Sequence, residues 1–283
     1  MKKLSTLSPL IFSLLVSFGS VPAAWAQEKK NARALAFTTA PQVKPDYLRS
    51  TTNNAYLTQL RTTYGLDRLV AGKKTDFERV QAVCAWARKQ WEHNGSNTPL
   101  KSDPISILEE AATGKQFRCV EYGVVVSGAL NSLGIPARTL ALKMEHADTI
   151  QYGAGHVVAE AYLHDQKKWV LVDGQFDVIP TLKGKPLNAV EMQQALAAGA
   201  PDLQVVSFSG TQANDYFQWI APYLFYFDTR LDNRYGVEQK PGSIMLMPQG
   251  AQKITVFQRI RPLTDFTYTH SVADFYPTLK KAR

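Results

Sequence analysis

Hydrophobic residues recur at helical spacing in the N-terminal half of the chain. Between Thr75 and Trp91 every third or fourth residue is apolar, which predicts a helix with one buried face, and Asp76 is well placed to begin it. A shorter helix is predicted after Asp103, which provides the cap, with Pro104 in its first turn and Gly114 at its end. The first structured region is therefore expected to be helical.

A third helix is predicted within "FRCVEYGVVVSGALNSLGIPAR", residues 117–138, and Cys119 lies where it begins. Gly134 suits the left-handed closing position of this helix, and Pro136 prevents the helix from resuming. Gly123 follows Cys119 by one turn on the same face, so a neighbouring segment can approach closely there. Val126, Leu130 and Leu133 continue that face towards the core.

The hydrophobic period then changes from helical spacing to alternation. The segments "ARTLALKME", "GHVVAEAYL" and "KKWVLVD" each read as strands. Helices followed by antiparallel strands predict an α+β fold in which the helices pack on the sheet. We assign this core to residues 46–177.

Residues 178–283 give a weaker pattern, which we interpret as a C-terminal α/β extension. The pattern leaves open whether the extension is a separate domain. Helices are predicted in "PLNAVEMQQALAAG" and in the aromatic "NDYFQWIAPYLFYFDTRL", interrupted near Pro222. Strands are predicted in "SIMLMPQG", "QKITVFQRI" and "FTYTHSVADFYP". The aromatic helix lacks a Lys-rich polar face, so core packing is favoured over a membrane surface.

The N-terminus has the pattern of a secretory signal. Lys2 and Lys3 precede an apolar run, and small residues at Ala24 and Ala26 suit cleavage before Gln27. The apolar run is shorter than the roughly 20 residues that span a bilayer. We therefore predict a signal peptide over residues 1–26, a flexible lead-in over 27–45, a periplasmic or secreted chain, and no integral membrane span. An uncleaved anchor is the alternative.

The distribution of charged residues limits the classes of binding partner that we expect. The formal net charge of +8 falls to +6 when the signal, which carries two lysines and no acids, is removed. The basic residues are scattered, so nucleic acid is a poor candidate partner. The histidines outside the candidate site show no metal-ligand spacing, and no calcium-binding loop is present, so no metal and no cofactor is predicted. These four are His93, His146, His164 and His270.

Cys119 is a candidate nucleophile because a helix N-terminus stabilises a thiolate and lowers a thiol pKa from about 8.5. Position alone is weak evidence. The chain has one other cysteine, Cys84, and an oxidising compartment would permit a disulfide between the two. Cys84 also fits as a small buried apolar residue on the stripe of its own helix. Both explanations of Cys84 stay open at this point.

A base and an orienting acid for the thiol are predicted from strand register. If "HDQK" forms a four-residue hairpin loop, Leu163 pairs with Lys168 and Val158 falls opposite Asp173. Asp173 then shares a face with His156, diagonally across, at a Cβ separation of roughly 7 Å. This arrangement predicts that Asp173 orients and charges the imidazole of His156, whose opposite ring nitrogen faces the sulfur of Cys119. Glu160 shares that face and is expected to pair structurally with Arg138.

These blocks resemble the core of the transglutaminase-like superfamily. The shared features are a helix-borne Cys followed by "GIPAR", a strand-borne His with a Glu four residues on, and a Trp four residues before an Asp. The resemblance covers about residues 75–177. It implies a papain-like, transglutaminase-like core and carries over Cys119 as nucleophile, His156 as base and Asp173 as orienting acid. Two departures are Phe117, where the family often has Gly, and Gly174, where proline is common.

The resemblance also implies a chemistry. Cys119 attacks an amide or peptide carbonyl and forms a thioester, which an amine or water resolves. The backbone N–H of Cys119 holds part of the oxyanion, and Gln116 is a candidate second donor, although a solvent-exposed role is favoured for it. We expect an enzyme that acts on protein or peptide substrates, including cell-wall peptides. The alternative is a non-catalytic binding or scaffold module of the periplasm.

Overall fold

The structure is a computed structural model that describes residues 32–51 and 54–279. The predicted signal peptide lies outside these residues, as does the start of the predicted lead-in. Across the described ranges, no helix combines the length and the apolarity needed to cross a membrane.

The elements of the described residues are as follows. The helices are α1 (Ala55–Thr63), α2 (Leu66–Leu69), α3 (Asp76–Arg88), α4 (Pro104–Ala112), α5 (Cys119–Ser132), α6 (Ala189–Ala197), α7 (Ala213–Ile220) and α8 (Val272–Phe275). The strands are β1 (Leu48–Arg49), β2 (Ala137–Lys143), β3 (Gly155–Leu163), β4 (Lys168–Val172), β5 (Ile179–Leu182), β6 (Lys185–Pro186) and β7 (Leu203–Val206). They continue with β8 (Tyr226–Arg230), β9 (Asp232–Asn233), β10 (Ser243–Leu246), β11 (Val256–Phe257), β12 (Arg261–Pro262) and β13 (Phe266–Thr269).

A six-stranded sheet in the order β13-β10-β8-β2-β3-β4 organises the fold. Neighbouring strands are antiparallel except β10 and β13, which run parallel. Half of the strands, β8, β10 and β13, come from the C-terminal extension, so the extension completes the sheet that the core begins. The predicted α+β class, with helices packed on an antiparallel sheet, is confirmed.

The N-terminal helices pack on one face of this sheet. Helix α5 contributes Val126 and Leu130, both fully buried, and each such side chain stabilises the fold by about 1.5–3 kcal/mol through burial. Its central glycine, Gly123, has no room for a side chain, because a Cβ there would lie 2.9 Å from the carbonyl oxygen of Val158. The backbones of α5 and β3 therefore come into close contact.

The C-terminal helices cover the other face. Helices α6 and α7 pack against Leu140, Val158 and Leu171, which form a second cluster of buried apolar side chains. The most buried residues of α7 are Tyr216, Phe217 and Ile220, which lie at helical spacing along one side. The sheet therefore lies between two helical layers.

The local predictions hold best in the core. Helix α5 begins at Cys119, Gly134 adopts the left-handed conformation with φ of +79°, and β3 spans the predicted "GHVVAEAYL". Helix α3 ends three residues earlier than the apolar stripe, and its cap is Thr75 rather than Asp76. Thr75 accepts from the backbone N–H of Glu78 in a capping box, which Asp76 inside the first turn does not form.

Three predictions in the extension are wrong in detail. The aromatic helix ends at Ile220, a short 3-10 turn holds Pro222, and residues 226–230 form β8 instead of more helix. The segment "QKITVFQRI" contributes only the two-residue strand β11. The segment "FTYTHSVADFYP" changes from β13 to α8, because Ser271 caps a new helix by accepting from the N–H of Asp274.

The described part of the lead-in contacts the C-terminal region. Thr38 forms a parallel bridge with Ser271, and the backbone N–H of Gln42 donates to the carboxylate of Asp274. The side chain of Gln42 accepts in turn from the N–H of His270 at 2.8 Å. These contacts were not predicted from the sequence.

Candidate active site

Cys119 is the first residue of α5, and its thiol is free and half-buried. Glu121 organises this helix end, since its carboxylate accepts from the backbone N–H of Arg118 at 3.1 Å and pairs with the Arg118 guanidinium at 2.7 Å. The N–H groups of a first helical turn have no partners within the helix. The sulfur therefore lies at the positive end of the helix dipole.

The predicted hairpin register is confirmed. Leu163 pairs with Lys168, and Ala159 pairs with Val172. This register brings Nε2 of His156 to 2.8 Å from Oδ2 of Asp173. Both side chains are buried, with 3% and 0% of their surface exposed. The remaining ring nitrogen, Nδ1, is left for the thiol.

Asp173 receives four hydrogen bonds. Oδ1 accepts from the backbone N–H groups of Gln175 and Phe176 at 3.0 and 3.3 Å. Oδ2 accepts from the hydroxyl of Tyr216 at 3.0 Å in addition to its contact with His156. A carboxylate offers about four acceptor positions, so this side chain is satisfied and held in one orientation.

The protonation of His156 follows from its surroundings. Burial lowers the pKa of the imidazole, but the charge and hydrogen bond of Asp173, together with the Cys119 thiol, outweigh burial and raise that pKa above its ordinary value. The imidazole therefore favours its protonated form. A protonated imidazole beside a sulfur is the arrangement that stabilises a thiolate.

Aromatic side chains, most of them from the C-terminal extension, surround the imidazole. The ring of Trp219 lies edge-on to His156, with centroids 4.8 Å apart, and Tyr223 lies 6.4 Å away. Phe176 contacts Trp219 at 4.5 Å and His156 at 6.1 Å. Burial raises the pKa of the Tyr223 hydroxyl above its ordinary value, and the charge of Cys119 raises it further.

These aromatic residues, and Tyr216 with them, were missed from the sequence. Core packing explains only part of the aromatic stretch, since 38% of the Trp219 surface is exposed. The sequence feature that could have identified Trp219 is the helical spacing of α7, which places Trp219 away from the buried side of the helix. That signal identifies an exposed aromatic side chain but does not reveal that it faces His156.

An open cleft of about 340 Å³ lies against the turn that follows Asp173. Its walls include Arg88, His93, Gln175, Phe176 and the turn at residues 209–211. Phe176 also lies against His156, so the cleft adjoins the predicted catalytic triad of Cys119, His156 and Asp173 at its imidazole. Burial and the nearby charge of His156 lower the pKa of His93, which favours a neutral second imidazole at the cleft wall.

Cys84 is not bonded to Cys119; both thiols are free. The buried Cys84 sulfur donates to the carbonyl oxygen of Asp173 at 3.4 Å, and burial raises the pKa of this thiol well above its ordinary value. Cys84 therefore supports the backbone of the turn that carries the carboxylate.

Gln116 lies on the surface before α5. Its carbonyl oxygen accepts from the side-chain amide of Asn97 at 2.8 Å. No described contact brings its side chain to Cys119, and its role as a second oxyanion donor stays a prediction.

The expected pair beneath the site is present. The guanidinium of Arg138 donates to Oε2 of Glu160 at 2.8 Å, and both side chains are buried. Oε1 of Glu160 accepts from the hydroxyl of Tyr276 at 2.7 Å. Glu160 therefore connects the central strand β3 to the C-terminal end of the described chain.

The two departures have structural reasons. Phe117 is fully buried and packs edge-on against Trp91, with centroids 5.7 Å apart. Gly174 lies against α5, where a Cβ would come within 2.7 Å of the Val126 side chain. The glycine therefore lets the turn after Asp173 pack on the helix that carries Cys119.

Comparison with known families gives one match. Residues 65–174 match the model described as the Transglutaminase-like superfamily. This range includes all three predicted triad residues. No curated protein sequence matches the chain.

Solved structures show weak similarity. One is a candidate cysteine protease from Cytophaga hutchinsonii, with 14% identity over 55% of this chain and 50% of that one, at a TM-score of 0.35. Another is LapG from Legionella pneumophila, with 15% identity over 59% of this chain and 92% of that one, at a TM-score of 0.31. A third is red sea bream transglutaminase, with 9% identity over 64% of this chain and 36% of that one, at a TM-score of 0.32. This chain spans half the length of the Cytophaga protein.

Proposed function

We propose, because residues 65–174 belong to the transglutaminase-like superfamily, that this chain is a thiol enzyme acting on amide or peptide carbonyls. The observation that carries the proposal is the buried contact between His156 and Asp173, which raises the pKa of an imidazole beside the only half-buried thiol among the described cysteines.

The reaction begins from the ion pair in which the Cys119 thiolate lies beside the protonated imidazole of His156. The thiolate attacks the carbonyl carbon, and the carbonyl π electrons move to the oxygen, which becomes an oxyanion. The backbone N–H of Cys119 donates to that oxyanion, with the Gln116 side chain as the candidate second donor. The C–N bond then breaks, the leaving amine takes the proton from His156, and a thioester remains.

The thioester is resolved by a second nucleophile. An amine acceptor gives a cross-link or a transferred acyl group, and water gives hydrolysis. In either case His156 removes the proton from the incoming nucleophile as that nucleophile bonds to the acyl carbon. The C–S bond then breaks, and the Cys119 thiolate is released beside the protonated imidazole. Export, as the N-terminal sequence predicts, would place the substrates among envelope proteins or cell-wall peptides.

The alternative is a binding or scaffold module of the periplasm that keeps the fold without chemistry. The observation that favours it is the cover of aromatic rings over His156, which leaves only 3% of that side chain exposed. In a module without chemistry, this cover would be the contact surface itself.

Thiol labelling distinguishes the two. Brief treatment with iodoacetamide at pH 7, followed by peptide mass spectrometry, should alkylate Cys119 far faster than the buried Cys84. The His156→Ala variant should label slowly at Cys119 while its folding, checked by circular dichroism, is retained. Equally slow labelling of both thiols in the natural protein favours the scaffold.

Substrate trapping tests the reaction itself. Cys119→Ser incubated with envelope extract should accumulate an acyl ester at residue 119, because the ester is resolved more slowly than a thioester. The Cys119→Ala protein, incubated in parallel, should carry no adduct. A failure to find an adduct in either protein, combined with slow alkylation of the natural thiol, would rule out the thioester route.

A further inference from the structure

The cleft beside the triad contains an unpaired acceptor. Oε1 of Gln175 is shielded from solvent and accepts no hydrogen bond from the residues that the structure describes. Its backbone N–H donates to Oδ1 of Asp173, so the residue is anchored to the triad itself. A buried acceptor without a donor costs free energy until a ligand supplies an N–H. A peptide backbone amide is such a donor.

The same cleft has a cation and no carboxylate among its described lining residues. Arg88 is the last residue of α3, and 30% of its side chain is exposed. It pairs with Glu92 at 3.1 Å, but 71% of the Glu92 side chain is exposed. A pair whose carboxylate is this exposed contributes little to stability, so a ligand can replace Glu92 as the partner of the guanidinium.

The remaining wall is held in place. The hydroxyl of Thr211 donates to the carbonyl oxygen of Phe176 at 2.7 Å, and the N–H groups of Phe208 and Ser209 donate to Asp177 at 2.7 Å. These bonds fix the turn opposite Arg88 and His93. A preformed wall lowers the entropic cost of binding an extended chain.

We propose that this cleft binds the peptide segment next to the reacting amide and selects a carboxylate through Arg88, while the Gln175 side chain turns so that its Oε1, shielded in the free protein, accepts a peptide N–H. The substrate class is therefore an acidic peptide, with the carboxylate on a side chain or at a chain end. The proposal rests on the proposed function, since it assigns this cleft to the substrate of the Cys119 site.

Equilibrium binding to Cys119→Ala tests the proposal without requiring turnover. The probes are fluorescein-labelled, C-terminally amidated alanine pentapeptides with a central glutamine, in which each flanking position in turn carries Glu or Gln. A parallel peptide with a free C-terminal carboxylate distinguishes a chain-end carboxylate from a side-chain carboxylate. Fluorescence anisotropy gives the dissociation constants.

One carboxylate position should bind about tenfold more tightly than its uncharged match, the range expected for a charge-assisted contact. In Arg88→Gln this preference should fall to about one, and Arg88→Lys should keep part of it. Arg79→Gln, on the same helix but outside the cleft, is the matched control and should leave it unchanged. Gln175→Leu should weaken charged and uncharged peptides by similar factors, because both lose the N–H acceptor.

Three results overturn the proposal: equal affinity for charged and uncharged peptides at every position, a preference that survives Arg88→Gln, or no binding at millimolar peptide. These outcomes are independent of the chemistry. If the alkylation and trapping experiments fail but the carboxylate preference depends on Arg88, the cleft is a peptide-binding site and the proposed reaction is wrong.

Discussion

The two faces of the six-stranded sheet contribute differently to the candidate site. The N-terminal face provides α5 with Cys119, and α3 with Cys84, which supports the carbonyl of Asp173. The C-terminal face provides α7, whose Tyr216 donates to Asp173 and whose Trp219 lies against His156. The groups that we propose to react therefore come from one stretch of sequence, whereas their support and cover include residues far along the chain.

This difference indicates that the extension is part of the site. Within β3, His156 faces the C-terminal layer. The side chains on the opposite face of the same strand pack against α5. The sheet end is where groups from both layers can meet. The predictions below test how strongly the proposed triad depends on the C-terminal layer. They are ordered from the largest to the smallest expected change in free energy.

Neutralising Glu160 should give the largest effect. Glu160→Gln leaves the buried Arg138 guanidinium without a charged partner and should lower the free energy of unfolding by about 3 kcal/mol. Urea unfolding followed by circular dichroism measures the change. Glu145→Gln, whose pair with Arg33 is exposed on both sides, should cost less than about 1 kcal/mol. Similar losses in the two variants would show that Glu160 does not join the core to the extension.

Removing the charge of Asp173 should give the second-largest effect. Asp173→Asn keeps the shape of the side chain but removes the charge that raises the pKa of His156. Alkylation of Cys119 at pH 7 should slow by roughly 30-fold, which corresponds to about 2 kcal/mol. Labelling at the natural rate would mean that the thiol does not depend on the imidazole–carboxylate pair.

The same variant has a pH signature. The pKa of His156 is raised in the folded state, so its contribution to stability is complete below the unfolded value of about 6.5 and is lost as pH rises through the folded value. The stability difference between the natural protein and Asp173→Asn should therefore be larger at pH 6 than at pH 10, as measured by urea unfolding. A difference that grows with pH would reverse the assignment.

Removing one hydroxyl from the C-terminal layer should have an intermediate effect. Tyr216→Phe deletes one of the four donors to Asp173 and should slow alkylation of Cys119 about fivefold, or roughly 1 kcal/mol. Tyr226→Phe is the matched control, because its hydroxyl donates to the carbonyl of Gln252. If both variants label Cys119 at the natural rate, Tyr216 contributes only to packing.

Opening the aromatic cover should have the smallest effect. Trp219→Leu removes the ring that lies edge-on to His156, and iodoacetamide should reach Cys119 about twofold faster, a change below about 1 kcal/mol. Trp86→Leu, in which the lost ring packs against Tyr64, should not change the rate. A slower reaction in Trp219→Leu would instead indicate that the indole positions the imidazole.

Predictions from local sequence were reliable where residues close together in the chain fix the backbone conformation. Gly134 and Pro136 end α5 through their own backbone preferences, and the four-residue loop after Leu163 sets the hairpin register that places His156 near Asp173. The extension was less predictable for a physical reason. Residues 226–230 follow an apolar, aromatic helix without a polar break, and pairing with β2 and β10 decides that they form a strand.

The α+β class, the helix start at Cys119 and the alignment of His156 with Asp173 could be predicted from the amino-acid sequence, because each depends on short-range periodicity, capping or turn length. The folded chain was needed to find that Tyr216, Trp219 and the cleft beside Gln175 lie next to these groups. Those contacts connect residues 31 or more positions apart. They depend on which layer covers which face of the sheet, and burial and packing decide this for the whole chain at once.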